Sequence, residues 1–129
     1  MVPIDYTDER TARLDMEFSF AAAHRLPRYD GPCFRMHGHN YRLVVAVEGK
    51  VDPESGMVAD FGRIKDLVQE HVLSRVDHRT LNEFLENPTA ENIARFVFET
   101  LSPHLPGLAE VRLCEIPGCF VIYRGSLDG

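Results

Sequence analysis

The sequence predicts an α+β fold, an antiparallel sheet with two helices laid on one of its faces. Three observations predict it. Two stretches in the first fifty residues alternate apolar and polar side chains, two stretches between residues 60 and 102 repeat with the period of a helix, and two short apolar runs flank a Pro-Gly turn near the C-terminus. The order strand, strand, helix, helix, strand, strand holds no internal repeat and no linker, and 129 residues predict one domain.

Residues 1–12 mix Thr, Asp, Glu and Arg without period and read as a loose arm. A single domain is expected over 13–125, with 126–129 as a tail. From Leu14 the chain alternates, with Leu14, Met16, Phe18, Phe20 and Ala22 on one side and Arg13, Asp15, Glu17 and Ser19 on the other, the pattern of a half-buried strand. His24 continues the apolar parity, so it points where the core residues point. Arg25 to Asn40 is rich in Pro, Gly and Arg and reads as a loop. Tyr41, Leu43, Val45 and Val47 alternate next. His37 and His39 share their parity, so a strand extended back through them aims both imidazoles the same way.

Lys50 to Gly56 holds turn chemistry. Asp60 can then cap a helix whose apolar positions Phe61, Ile64, Leu67, Val68 and Val72 follow helical spacing. Val76 to Asn87 reads as a polar connection with isolated Leu81, Phe84 and Leu85. Pro88-Thr89 opens a second helix, with Thr89 as N-cap, Glu91 favourably placed in the first turn, and Ile93, Phe96, Val97 and Leu101 as its buried stripe. Pro103 to Gly107 ends it. Two last strands, Glu110 to Ile116 and Cys119 to Arg124, are joined by Pro117-Gly118.

Composition excludes several classes. Hydrophobic content of 44% and charged content of 26% are ordinary for a globular protein. A formal charge of −6 argues against nucleic-acid binding through an overall field, though an anionic small molecule needs only a local cluster of cations. Three cysteines without a CxxC pair fit a reducing cytoplasm better than a disulfide framework. The polar, acidic start from Met1 to Arg13 does not read as a signal peptide, and no apolar run approaches the length of a membrane span. A cytoplasmic protein with no membrane or nucleic-acid partner is the expectation.

The candidate chemistry centres on His24, His37 and His39. Two imidazoles at i and i+2 on one strand face, with a third ending a neighbouring strand, make a three-nitrogen metal site. Neutral imidazole suits zinc and also iron, copper or nickel, so the spacing does not fix the metal. No fourth protein ligand is obvious, and an open position is what a catalytic metal needs. A cupin-type site is disfavoured, because Leu43 and Val44 stand where its carboxylate would fall. Cys33 sits in a Gly-Pro-Cys loop beside Arg35, and nearby positive charge favours a thiolate. Cys114 and Cys119 read as structural, and His71 and His104 as surface or hydrogen-bonded residues. Asp77-His78 offers an acid/base pair, although adjacent residues rarely hydrogen-bond each other well, so both are expected to serve one substrate rather than act in series. Glu115 ends an apolar strand face and could accept two parallel N–H bonds from a guanidine-like edge.

The ordered motifs Phe20-Ala21-Ala22-Ala23-His24-Arg25-Leu26-Pro27, Cys33 with His37-Gly38-His39, Asp52-Pro53 with Gly56-Met57-Val58 and Asp60-Phe61, Asp77-His78 with Leu81-Asn82, Asn87-Pro88-Thr89-Ala90-Glu91-Asn92, and Glu115 resemble the 6-pyruvoyltetrahydropterin synthase / 6-carboxytetrahydropterin synthase family over Leu14 to Gly125. The resemblance implies a tunnelling fold, in which trimers close an antiparallel barrel and two trimers stack into a hexamer with active sites between subunits. It implies zinc on His24, His37 and His39, with Cys33 as catalytic thiol and Asp77 and His78 as its acid/base partners. It also implies a pterin anchored by Glu115, with Thr89 near the ring and Arg25, alongside Arg28 and Arg35, as candidates for a triphosphate. The interval of three residues between Cys33 and His37, and Asn-Pro-Thr before Ala90-Glu91, are similar to the bacterial carboxytetrahydropterin branch; the mammalian-type enzyme carries its cysteine two residues farther away. The implied reaction is a zinc-dependent lyase step on 7,8-dihydroneopterin triphosphate, serving queuosine (7-deazapurine) biosynthesis. Alternatives are 6-pyruvoyltetrahydropterin formation or a non-catalytic pterin- or zinc-binding module. Ile116 stands where the family commonly has Thr, and Val76 where Leu is usual.

Overall fold

The computed structural model describes residues 1–125; the expected tail over 126–129 lies outside the described residues. Strands β1 (Thr11–His24) and β2 (His37–Lys50) form a long hairpin, paired antiparallel without a break from Thr11 opposite Lys50 to His24 opposite His37. A two-residue strand β3 (Arg79–Thr80) adds to β1 in parallel. Strand β4 (Leu108–Ile116) pairs antiparallel with β2, and β5 (Cys119–Tyr123) with β4, giving the sheet order β3-β1-β2-β4-β5.

Strand alternation sorts the sheet into two faces. Phe20 and Ala22 of β1, Tyr41, Leu43, Val45 and Val47 of β2, and Val111 and Leu113 of β4 are buried under the helices. Helix α1 (Phe61–Val68) starts where the Asp60 carboxylate accepts the Gly62 N–H at 2.8 Å, satisfying a donor that has no partner within the helix. It runs on through a π turn (Gln69–Leu73) and a last α turn (Ser74–Val76). Helix α2 (Ala90–Leu101) is capped by the Thr89 hydroxyl, which accepts the Asn92 N–H at 3.2 Å. Ile64, Leu67, Val68 and Val72 of the first helical segment and Ile93, Ala94, Val97 and Leu101 of α2 supply the facing side of the core.

Four local expectations need correction. β1 begins at Thr11, within the expected arm, because Thr11 finds Lys50 as a partner. β2 begins at His37, so the loop ends earlier than its Gly and Asn suggest. Phe61 is 52% exposed: as the first helical residue it leans N-terminally, where no earlier turn covers it. The connection from Val76 to Asn87 carries β3 and a one-turn 3-10 helix (Leu81–Glu83), and its Val76 and Leu81 are fully buried.

The opposite face carries no helix and holds Arg13, Glu17, Arg42, Glu110 and Arg112. Glu110 is buried, and Arg13 and Arg124 both donate to its carboxylate; those bonds, Arg13's foremost, hold its pKa below the usual carboxylate value against the effect of burial. Pairing between β4 and β5 shifts register between Cys114 and Ile116, so Glu115 is the extra residue of a bulge, which locally bends and re-aims a strand.

Gly107 closes the turn into β4. Its φ is +84°, its carbonyl accepts the Glu48 N–H at 2.9 Å, and a Cβ there would meet the Glu48 carbonyl oxygen at 2.5 Å. Gly107→Ala is therefore expected to destabilise the fold by about 1–3 kcal/mol. Urea unfolding reads this, and a change indistinguishable from zero would contradict the account.

Candidate metal centre and catalytic site

The register of the long hairpin builds the site. His24 is the last residue of β1 and His37 the first of β2, directly opposite each other; His39 lies opposite Ala22 on the same face. Ring centroids are 4.6 Å apart for His24–His37, 5.1 Å for His24–His39 and 4.8 Å for His37–His39. One ring nitrogen from each lies within 4.8 Å of the others.

Hydrogen bonds fix which nitrogens face inward. His24 Nδ1 lies 2.8 Å from the Pro88 carbonyl oxygen, and His37 Nδ1 lies 2.7 Å from that of Arg35. A carbonyl only accepts, so both Nδ1 atoms carry the proton and both Nε2 atoms present lone pairs. Those two Nε2 atoms stand 3.0 Å apart. His39 Nε2 is buried with no protein partner. One ring nitrogen from each of the three histidines converges here, a donor set that fits a divalent ion such as zinc, whose bonds to imidazole are about 2.0–2.1 Å. Glu115 Oε1 stands 3.4 Å from His24 Nε2, outside the converging set but close enough to add negative potential. Burial lowers the His39 pKa, with the neighbouring His24 and His37 adding and Glu115 opposing. Burial, and then Glu115, push the Tyr41 phenol upward, so it stays protonated beside the cluster, its oxygen 3.3 Å from His24 Nδ1.

Two asparagines that the sequence left without a role hold this arrangement from behind. The Asn92 amide donates to the Asn87 carbonyl at 2.7 Å, and the Thr89 N–H donates to the same carbonyl at 2.9 Å, which sets the Pro88 carbonyl against His24. Asn82 brackets Arg25 by accepting its N–H and donating to its carbonyl, both at 2.9 Å. The sequence signal for both was present in Leu81-Asn82 and Asn87 to Asn92, but nothing in it said that these backbones meet the end of β1.

The remaining predicted residues fall into two groups. Cys33 is half-buried in a one-turn 3-10 helix (Pro32–Phe34), and its carbonyl accepts the Leu26 N–H at 2.9 Å, closing the loop that follows His24. Thr89 spends its hydroxyl lone pair on the α2 cap, which leaves its O–H able to donate. Arg25 lays its guanidinium over the Phe34 ring at 5.8 Å, and Arg28 pairs with Glu86 at 3.3 Å. Asp77 and His78 sit apart, on the far edge of β1. Asp77 accepts the Ala21 N–H at 3.0 Å, and the His78 N–H donates to the Ala21 carbonyl at 2.6 Å. His78 takes φ +59°, and in that turn its Nδ1 comes within 3.1 Å of the Asp77 carboxylate, an ion-pair distance. Its side chain is 82% exposed and borders a cleft with Gly38, His39 and Arg79 that Cys33 does not line.

Two predictions follow from this geometry. Asn92→Ala is expected to weaken divalent-metal affinity about 10–100-fold through the slackened Pro88 carbonyl, read by competition with a chromogenic chelator; unchanged affinity would show that Asn92 has no such role. In metal-free protein, the lowered His39 pKa means that the unfolded chain takes its proton first. The associated stability is present above the ordinary histidine value of 6.5 and is lost as pH falls through it. Urea midpoints between pH 8 and pH 5 measure the slope, and His39→Gln is expected to reduce it.

Comparison with known proteins gives this chain a family. The profile described as 6-pyruvoyl tetrahydropterin synthase matches residues 13–126. A Synechocystis protein named 6-carboxy-5,6,7,8-tetrahydropterin synthase is 42% identical over 106 residues, covering 77% of this chain and 82% of its own. A Pyrococcus furiosus protein named dihydroneopterin monophosphate aldolase is 40% identical over 96 residues, covering 74% and 80%. The structure of Caenorhabditis elegans 6-pyruvoyl tetrahydropterin synthase superposes with a TM-score of 0.84 at 34% identity, covering 92% of this chain and 99% of that one. With the sheet, the two helices and the histidine cluster in place, the chain belongs to the 6-pyruvoyl tetrahydropterin synthase family, whose pterin-synthase members are lyases.

Proposed function

We propose that the protein converts 7,8-dihydroneopterin triphosphate and one water to 6-carboxy-5,6,7,8-tetrahydropterin, releasing triphosphate and acetaldehyde, with zinc held by His24, His37 and His39. The observation that carries this reading is the convergence of one ring nitrogen from each of the three histidines within 4.8 Å of one another. The three-residue interval from Cys33 to His37 and the Synechocystis relative's name support the carboxy product over the pyruvoyl one.

A divalent ion held by His24, His37 and His39 would supply Lewis acidity toward the substrate's side-chain hydroxyls. Cys33 as thiolate removes a proton from that side chain, and His78, with Asp77 beside it, handles the proton on its other face. Glu115 accepts paired N–H bonds from the pterin edge, the Thr89 O–H donates to the ring, and Arg25 offers charge to the triphosphate.

Cys33 does not line the cleft that His78 borders, which supports a site completed by a neighbouring copy, and hence the trimer pair proposed for the assembly. Mixing inactive Cys33→Ala and His78→Ala chains, then unfolding and refolding them together, is expected to restore activity to about a quarter of wild type, because random pairing returns one intact site in four. No restoration would place both groups in one chain's site.

The product assay tests the reaction itself. Purified protein incubated with dihydroneopterin triphosphate is expected to yield acetaldehyde and the 6-carboxy pterin; a 6-pyruvoyl pterin or an aldol fragment would replace this reading with that of another relative. Cys33→Ala is expected to abolish turnover while retaining the metal. Loss of the metal would make Cys33 a ligand and overturn its assignment.

A further inference from the structure

The helix-free face carries a second cavity, remote in role from the histidines. Its volume is about 380 Å³, and Arg42, Val44, Arg112, Cys114, the Pro117-Gly118 turn and Phe120 line most of it. The register explains how it forms. Arg42 pairs with Cys114 and Val44 with Arg112, so the two arginines are diagonal neighbours on one face, a relation that puts Cα atoms about 7–8 Å apart. The bulge at Glu115 bends the β4–β5 hairpin, whose turn makes the end wall.

The charges there are unbalanced. Among the described residues neither Arg42 nor Arg112 makes an ion pair. Arg112 packs its guanidinium over the Phe120 ring at 5.1 Å, and its Nε is buried without a hydrogen-bond partner. A buried, unpartnered guanidinium nitrogen beside a second guanidinium is costly unless an acceptor is supplied from outside. Glu17 is the one carboxylate in the lining, and it lies across Val44 from Arg112. Asn40 adds a neutral amide, and Val44, Cys114, Pro117 and Phe120 make the rest of the wall apolar.

We propose that this cavity binds a small organic anion, a carboxylate or phosphate carried on a flat apolar body, with Arg42 and Arg112 on the oxyanion and Phe120 and Val44 against the body. Two guanidiniums can grip one oxyanion from two sides, and the volume suits a single-ring molecule rather than a chain or a macromolecule. The site is independent of the proposed reaction, because it lies on the face turned away from the histidines and shares none of its charged residues with them.

Calorimetric titration of the metal-loaded protein with phenyl phosphate, and separately with benzoate, tests it. Saturable binding of one molecule per chain is expected for at least one probe, and the stronger of the two identifies the oxyanion. Arg42→Gln and Arg112→Gln should each weaken it at least about tenfold, and Arg112→Lys, which keeps the charge but loses the fork, should weaken it less. Glu17→Gln should strengthen it about two- to fivefold by removing the one repulsive charge. His39→Ala should leave it intact. No saturable binding, binding indifferent to both arginines, or binding lost with His39 would overturn the proposal. Should Arg112→Gln fail to fold, Arg42→Gln and Glu17→Gln change exposed side chains and decide the matter in opposite directions.

Discussion

Two imidazole nitrogens 3.0 Å apart with no hydrogen between them form the constraint around which this structure is arranged. Each Nδ1 lies against a backbone carbonyl, so in the neutral rings both Nε2 atoms turn their lone pairs toward one another, and lone pairs at that distance repel. The His24 ring is fully buried, where electrostatic interactions are stronger than in water. A cation between the rings would remove that repulsion, and Glu115 at 3.4 Å adds negative potential in its favour.

Holding the rings against that repulsion is the work of the hairpin. Fourteen consecutive residue pairs between β1 and β2 fix the register, and a slip by one residue would turn His37 and His39 to the other face of the sheet. The carbonyls behind the rings are fixed separately, Arg35 by the turn into β2 and Pro88 by Asn92 and the α2 cap. The helices thus do more than bury an apolar face. By covering the histidine side of the sheet, they help bury His24 completely, while His37 and His39 stay half-buried.

Much of this was legible in the sequence because strand parity is a strict code. Leu14 to Ala22 and Tyr41 to Val47 announced both long strands, and carrying the same parity through His24, His37 and His39 placed the three rings on one face. Both helix caps could be read as well, since Asp60 and Thr89 stand just ahead of apolar runs with helical period. What could not be read depends on contacts between distant segments. The Val76 to Asn87 stretch looks polar because its buried residues Val76 and Leu81 are separated by exposed ones, and a two-residue strand has no period to detect. Pro88 contributes a backbone carbonyl, which no residue type advertises. The contact between Asp77 and His78 depends on a left-handed backbone at a histidine, which sequence does not forecast.

That left-handed histidine bears on how the site is assembled. A non-glycine residue at φ +59° is held there only when its surroundings over-determine it, and here they do: Asp77 takes the Ala21 N–H while the His78 N–H takes the Ala21 carbonyl. The clamp turns the imidazole outward at the β3 edge, with most of its surface exposed, instead of letting it relax against its own chain. This acid/base pair, on the edge of the strand that ends in His24, borders the same cleft as His39 and not the Cys33 loop. The two Ala21 bonds therefore do for His78 what the Pro88 and Arg35 carbonyls do for His24 and His37: backbone contacts fix where the imidazole stands, here at the rim of the cleft that His39 also lines.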